Sequence, residues 1–154
     1  MSKYLAEQLC EFYAKSLDVP CVVLRLFNVY GPGQKPEFLI PTLIENVKKG
    51  QVVELRSPKS VRDYVYIDDV LALFDRCLES DLKNNFTVLN VASGQGYSVL
   101  EVVNAIKLVS GRDVEVVSNQ SAVGDTFTAD ISKVKSVLGW EPKISFEKGL
   151  GKIL

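Results

Sequence analysis

The 154-residue sequence predicts an α/β fold built on a mainly parallel sheet. Segments with apolar residues at helical spacing alternate with short β-branched runs along the chain, the order from which parallel sheets with crossover helices are made. Two of those runs, 21–27 and 87–92, are nearly unbroken in apolar residues, as strands buried on both faces are. Each leads into a polar, glycine-containing loop, Asn28 to Gly33 and Ser93 to Gly96. The carboxyl ends of strands are where open α/β sheets bind ligands.

The first element is a helix over 2–17, with Leu5, Leu9, Phe12, Tyr13 and Leu17 on one broad stripe. Asp18-Val19-Pro20 stops it, because the residue before a proline is pushed away from helical geometry. After strand 21–27, a helix runs from Phe38 to Lys49, with Leu39, Leu43, Ile44 and Val47 at helical spacing and Gly50 as its C-terminal cap. Residues 51–56 form a short strand. The alternation over 61–67 predicts another, followed by a helix through Leu71, Phe74, Cys77 and Leu78 that Asp68 or Asp69 can cap. Beyond strand 87–92, Ser98 and Glu101 spell a capping box for a helix ending at Ser110-Gly111. A short strand over 114–117, a polar loop over 118–128, a helix over 130–138 capped by Asp130 and a last helical turn or two over 146–154 complete the chain. No repeat or flexible linker divides it, so residues 1–154 read as a single domain.

The composition, 47% hydrophobic and 24% charged with a net charge of -1, is that of a soluble globular protein. It carries no basic excess to attract nucleic acid and no apolar run long enough for a bilayer. Met1 leads directly into the first helix without a signal-like segment, so a cytoplasmic setting is expected. Cys10, Cys21 and Cys77 are odd in number and set among apolar neighbours, which points to packing rather than to disulfides or a metal. There is no histidine, which removes the commonest general base and metal ligand and any His-dependent triad.

Ser2-Lys3, Arg25-Leu-Phe-Asn-Val-Tyr-Gly-Pro-Gly33, Arg62-Asp-Tyr-Val-Tyr-Ile-Asp-Asp69, Asn90-Val-Ala-Ser-Gly94 and Gly139-Trp-Glu-Pro142 together resemble the extended short-chain dehydrogenase/reductase family. Within it the likeness is to the nucleotide-sugar epimerases and dehydratases. The motifs run in one order and cover the family's carboxyl-terminal half. The resemblance therefore implies a substrate-binding lobe with two strands left over from the Rossmann sheet. The glycine fingerprint that seats the family's NAD is absent from the sequence, so no cofactor is expected on this chain alone.

By the same resemblance, Lys3 stands where the lysine of the family's catalytic Tyr-x-x-x-Lys pair would. The tyrosine would fall two residues before Met1, and Tyr4 cannot replace it because adjacent helix positions point in different directions. Asn28 resembles the asparagine that donates hydrogen bonds to the diphosphate, and Arg62 the arginine that grips it. Leu39 and Ile40, followed by Pro41, border the nucleotide base. Each has a structural reading as well: Lys3 solvated, Asn28 closing a turn, Leu39 and Ile40 in the core, Arg62 in a salt bridge with Asp63 or Asp68. One position departs from the family: Ala122, two residues before Gly124-Asp125, replaces a second diphosphate arginine. That loss is worth roughly ten- to hundredfold in affinity. No metal ligands are expected.

The functional expectation is the carboxyl-terminal part of an NAD-dependent nucleotide-sugar epimerase or dehydratase, resembling the UDP-sugar 4-epimerases among the isomerases. Alone it would bind at most a UDP- or GDP-linked sugar, without turnover. The alternatives are a non-catalytic interaction or structural module derived from that fold and, from Gly31-Pro-Gly-Gln34 and Gly96-Tyr-Ser98, a piece of a GDP-sugar 4-keto-reductase. Apolar faces left without partners predict self-association, or pairing with an amino-terminal half-chain.

Overall fold

The computed structural model describes residues 1–82, 84–118, 121 and 123–154. Helix α1 (Ser2–Ser16) leads, through Asp18 at a φ of 55°, into strand β1 (Cys21–Leu26). Strand β1 pairs in parallel with β5 (Phe86–Val91), from Cys21 opposite Phe86 to Leu26 opposite Val91. These two form a sheet of their own, matching the two leftover strands. The expectation that both are buried on two faces is corrected. Val22 and Leu26 of β1 are 37% and 48% exposed, and β5 buries only Thr87, Leu89 and Val91, in alternation. In a two-stranded sheet each strand has one neighbour.

Phe27 is where the chain changes sheet. Its amide donates to the Val91 carbonyl at 3.0 Å, completing the first ladder, and β2 (Asn28–Tyr30) then pairs in parallel with β4 (Val61–Tyr66). Strand β4 is the centre of the second sheet, flanked also by antiparallel β6 (Gly96–Ser98) and parallel β8 (Thr126–Phe127). Strands β3 (Val53–Leu55) and β7 (Val116–Ser118) form a third, parallel pair. Strands β2, β6 and β8 were absent from the sequence reading; they are two or three residues long, too short to show a period.

Helix α2 (Leu39–Lys49) buries Ile40, Leu43, Ile44 and Val47 and ends at Gly50, whose φ of 68° is the left-handed conformation a terminal glycine supplies without strain. Helix α3 (Ile67–Glu79) starts straight from β4, and its buried residues are Asp69, Val70 and Leu73. Leu71, Phe74 and Leu78 lie exposed on another face. Neither Asp68 nor Asp69 caps it. Asp68 pairs with Lys152, and the buried Asp69 carboxylate accepts from the Lys143 and Ile144 amides, both at 3.0 Å. Helix α4 (Val99–Ser110) carries the capping box in full. Helix α5 (Ser132–Leu138) begins two residues later than expected, with the Asp130 carboxylate accepting from the Ser132 amide, and α6 (Phe146–Gly151) is capped by Ser145.

Two apolar clusters hold the layers together. One joins Tyr30, Tyr64 and Tyr66 to α2, α4 and Phe146. The other joins Val70 and Leu73 of α3 to Leu89, Val91, Val134 and Trp140. No helix among the described residues is long and apolar enough to cross a membrane.

Candidate functional site

The register of β2 on β4 places Asn28 opposite Tyr64, and Arg62 two residues earlier on the same face of β4. The amino-terminal turn of α2 closes over them. The result is a cleft of about 240 Å³ whose lining includes Asn28, Leu39, Ile40 and Arg62, with Phe38 and Tyr64 between them. Four residues from three separated segments, all expected to bind ligand, thus share one cavity. They are not alike in exposure: Phe38 and Leu39 are 53% and 37% exposed, while Ile40, at 2%, is also a core residue.

Asn28 donates from Nδ2 to the Asp63 carbonyl at 2.8 Å. That contact sets the amide's orientation. Its second Nδ2 proton makes no hydrogen bond among the described residues, and the side chain is exposed. Burial pushes the Tyr30 and Tyr64 hydroxyls upward in pKa, so both remain protonated at neutral pH. The Tyr30 hydroxyl donates to the Phe146 carbonyl at 3.1 Å within the core, and neither tyrosine supplies a base.

Arg62 is in a salt bridge, but with neither of the partners expected. Its Nη1 and Nη2 donate to Asp125 Oδ1 and Oδ2 at 2.9 and 3.1 Å, and its guanidinium carbon lies 5.0 Å from the Phe127 ring centre. Hydrogen bonds from Arg62, then from Ser60, hold the Asp125 carboxyl below its ordinary pKa. Asp63 faces the other way. It is 0% exposed and accepts from the Ser93 amide and hydroxyl through Oδ1 (2.7 and 2.6 Å) and from the Gly94 and Ala129 amides through Oδ2 (2.9 and 3.2 Å). This carboxylate ties β4 to two loops, and the sequence reading missed it. Its one signal is a charged residue at an inward position of a strand that must bury it.

Lys3 is not brought to the cleft. It is exposed on the first turn of α1, which the Glu7 carboxylate ties to β1 by accepting from Arg25 Nε at 3.0 Å. The Gly-x-Gly-x-x-Gly run that seats the pyrophosphate of a dinucleotide on a helix amino terminus does not occur in the sequence. Ala122 lies outside the described residues. Among the described residues no cluster of cysteines and carboxylates can hold a metal ion.

The family model described as GDP-mannose 4,6 dehydratase matches residues 1–153. An uncharacterized UDP-glucose epimerase of Bacillus subtilis, YtcB, is 32% identical over 153 residues, covering 97% of this chain and 48% of its own. Among solved structures, UDP-glucose 4-epimerase of Thermotoga maritima with UDP-glucose is 34% identical with a TM-score of 0.86, over 97% of this chain and 50% of its own. MoeE5, in complex with UDP-glucuronic acid and NAD, is 30% identical with a TM-score of 0.84, over 98% and 52%. The chain spans about half the length of the curated relatives it matches. On a match over nearly every residue, joined to this fold, the chain belongs to the GDP-mannose 4,6 dehydratase family, within the extended short-chain dehydrogenases/reductases of the nucleotide-sugar epimerase and dehydratase kind.

Proposed function

We propose that this chain is the substrate-binding portion of an NAD-dependent nucleotide-sugar epimerase or dehydratase, and that it holds the nucleotide sugar in the cleft between Asn28 and Arg62. The observation that carries this reading is the convergence of Asn28, Leu39, Ile40 and Arg62 on one cavity with an apolar wall and an arginine at its edge. Arg62 supplies paired donors to diphosphate oxygens, Asn28 a neutral one, and Phe38 and Leu39 an apolar border for the base. The similar structures solved with UDP-glucose and UDP-glucuronic acid support the ligand class.

NAD, bound by the parent protein, supplies the hydride chemistry; this chain contributes binding and orientation. Lys3 takes its catalytic role only beside a tyrosine from outside the described chain. Calorimetric titration with UDP-glucose and with GDP-mannose checks the reading. The expected result is binding of one of them, weakened about tenfold or more by Arg62→Gln, which removes charge-assisted contacts. NAD turnover by the chain alone is expected to be absent. Absence of heat with both sugars at millimolar concentration rejects the proposal in favour of a non-catalytic module.

A further inference from the structure

The hydrogen bonds of Arg62 gather on one side of its guanidinium. The Nη1–Nη2 edge is taken by the Asp125 carboxylate, and Nη1 donates in addition to the Val61 carbonyl at 2.9 Å and the Asp125 carbonyl at 3.3 Å. Nε and the second Nη2 proton make no hydrogen bond among the described residues. Arg62 lines the cleft, whereas Asp125 is not part of that lining. Phe127, opposite Arg62 in the β4–β8 pairing, places its ring beneath the guanidinium.

Asp125 is itself held in place. Its carbonyl accepts from the Val61 amide at 2.8 Å. Gly124 before it lets the loop touch the Lys59 backbone, since a Cβ there would fall 2.3 Å from the Lys59 carbonyl. An arginine side chain otherwise loses rotamer entropy when a ligand fixes it. Here that ordering is already done by a carboxylate, two carbonyls and a ring.

We propose that Asp125 is a positioning residue for anion binding: it holds Arg62 by one edge, from outside the cleft, so that the Nε–Nη2 edge is presented to the diphosphate of a nucleotide sugar. This rests on the nucleotide-sugar reading above. The competing consequence of the same contact is that Asp125 neutralises Arg62 and repels the ligand, and the sign of one substitution separates the two.

Asp125 is exposed, so Asp125→Asn keeps the fold while removing the charge and half of the clamp. UDP and GDP are titrated against uridine and guanosine, with the unaltered chain, Asp125→Asn, Arg62→Gln and the double variant. Asp125→Asn is expected to weaken binding of the preferred diphosphate about fivefold, to leave its nucleoside unchanged, and to add nothing in the Arg62→Gln background. Equal or tighter diphosphate binding by Asp125→Asn overturns the inference, as does an equal loss with the nucleoside or a loss that persists without Arg62. Each of those results leaves the nucleotide-sugar reading standing. If the unaltered chain binds neither diphosphate, both fall together.

Discussion

Asp63 shows how much one side chain decides in the middle of this chain. Its two oxygens receive four hydrogen bonds in a site without solvent, while its carbonyl fixes Asn28. Asp63→Asn preserves shape but turns an NH2 toward either the Ser93 pair or the Gly94 and Ala129 amides, setting donor against donor. With two charge-assisted bonds lost, the expected destabilisation is about 3 to 5 kcal/mol, read as a lower urea midpoint at an unchanged slope. Asn28 and Arg62 were singled out by the family resemblance, and the fold brings both to the lining of one cleft. Their partners were not legible, because Asp63, Asp68 and Asp125 are the same residue type at different distances along the chain. Only the pairing of β4 with β8 brings the last of them to Arg62.

At the level of elements, helix ends with local chemistry are the readable ones. The box on α4 closes as its spacing implies: Ser98 Oγ accepts from the Glu101 amide at 3.2 Å, and Glu101 Oε2 accepts from the Ser98 amide and hydroxyl, both at 2.7 Å. Ser98→Ala is expected to cost about 1 kcal/mol, measured by thermal melting. Those hydrogen bonds, the hydroxyl's first and then the amide's, hold the Glu101 carboxyl below its ordinary pKa. The folded pKa is thus lower than the unfolded one, near 4.3. The contribution is complete above that value and is lost as pH falls through the lower folded value, so Ser98→Ala is expected to flatten the acid limb of the stability curve. Helix α3 went the other way. Its stripe of Leu71, Phe74 and Leu78 has the spacing of a core face, yet Val70 and Leu73 point inward. Both stripes satisfy the helical period, and the position of β4 and β5 selects between them.

At the scale of the molecule, apolar side chains concentrate where elements lack neighbours. On α1, Leu5, Leu9 and Phe12 are 56% to 58% exposed, and Ala14 is the helix's buried residue; Leu26 of β1 is half exposed. Such a surface associates in water, at about 25 cal/mol for each Å² of apolar area covered. The chain is expected to run above its monomer mass in gel filtration with light scattering, and Leu9→Glu with Phe12→Lys to return it toward the monomer. A monomer at micromolar concentration in the unaltered chain refutes this. Similar proteins run to about twice this length, and half-chain complementation tests whether the remainder of that length covers the same surface.

The order of elements other than β2, β6 and β8 and the helix ends at Gly50, Ser98 and Gly111 followed from the chain itself, because each depends on contacts within a few residues. The division of the described strands into three small sheets, the inward face of α3, the hub at Asp63 and the choice of Asp125 as the partner of Arg62 came only with the tertiary structure. Each of these depends on which distant segments meet, and periodicity, being the same on either face and for any partner, does not encode that.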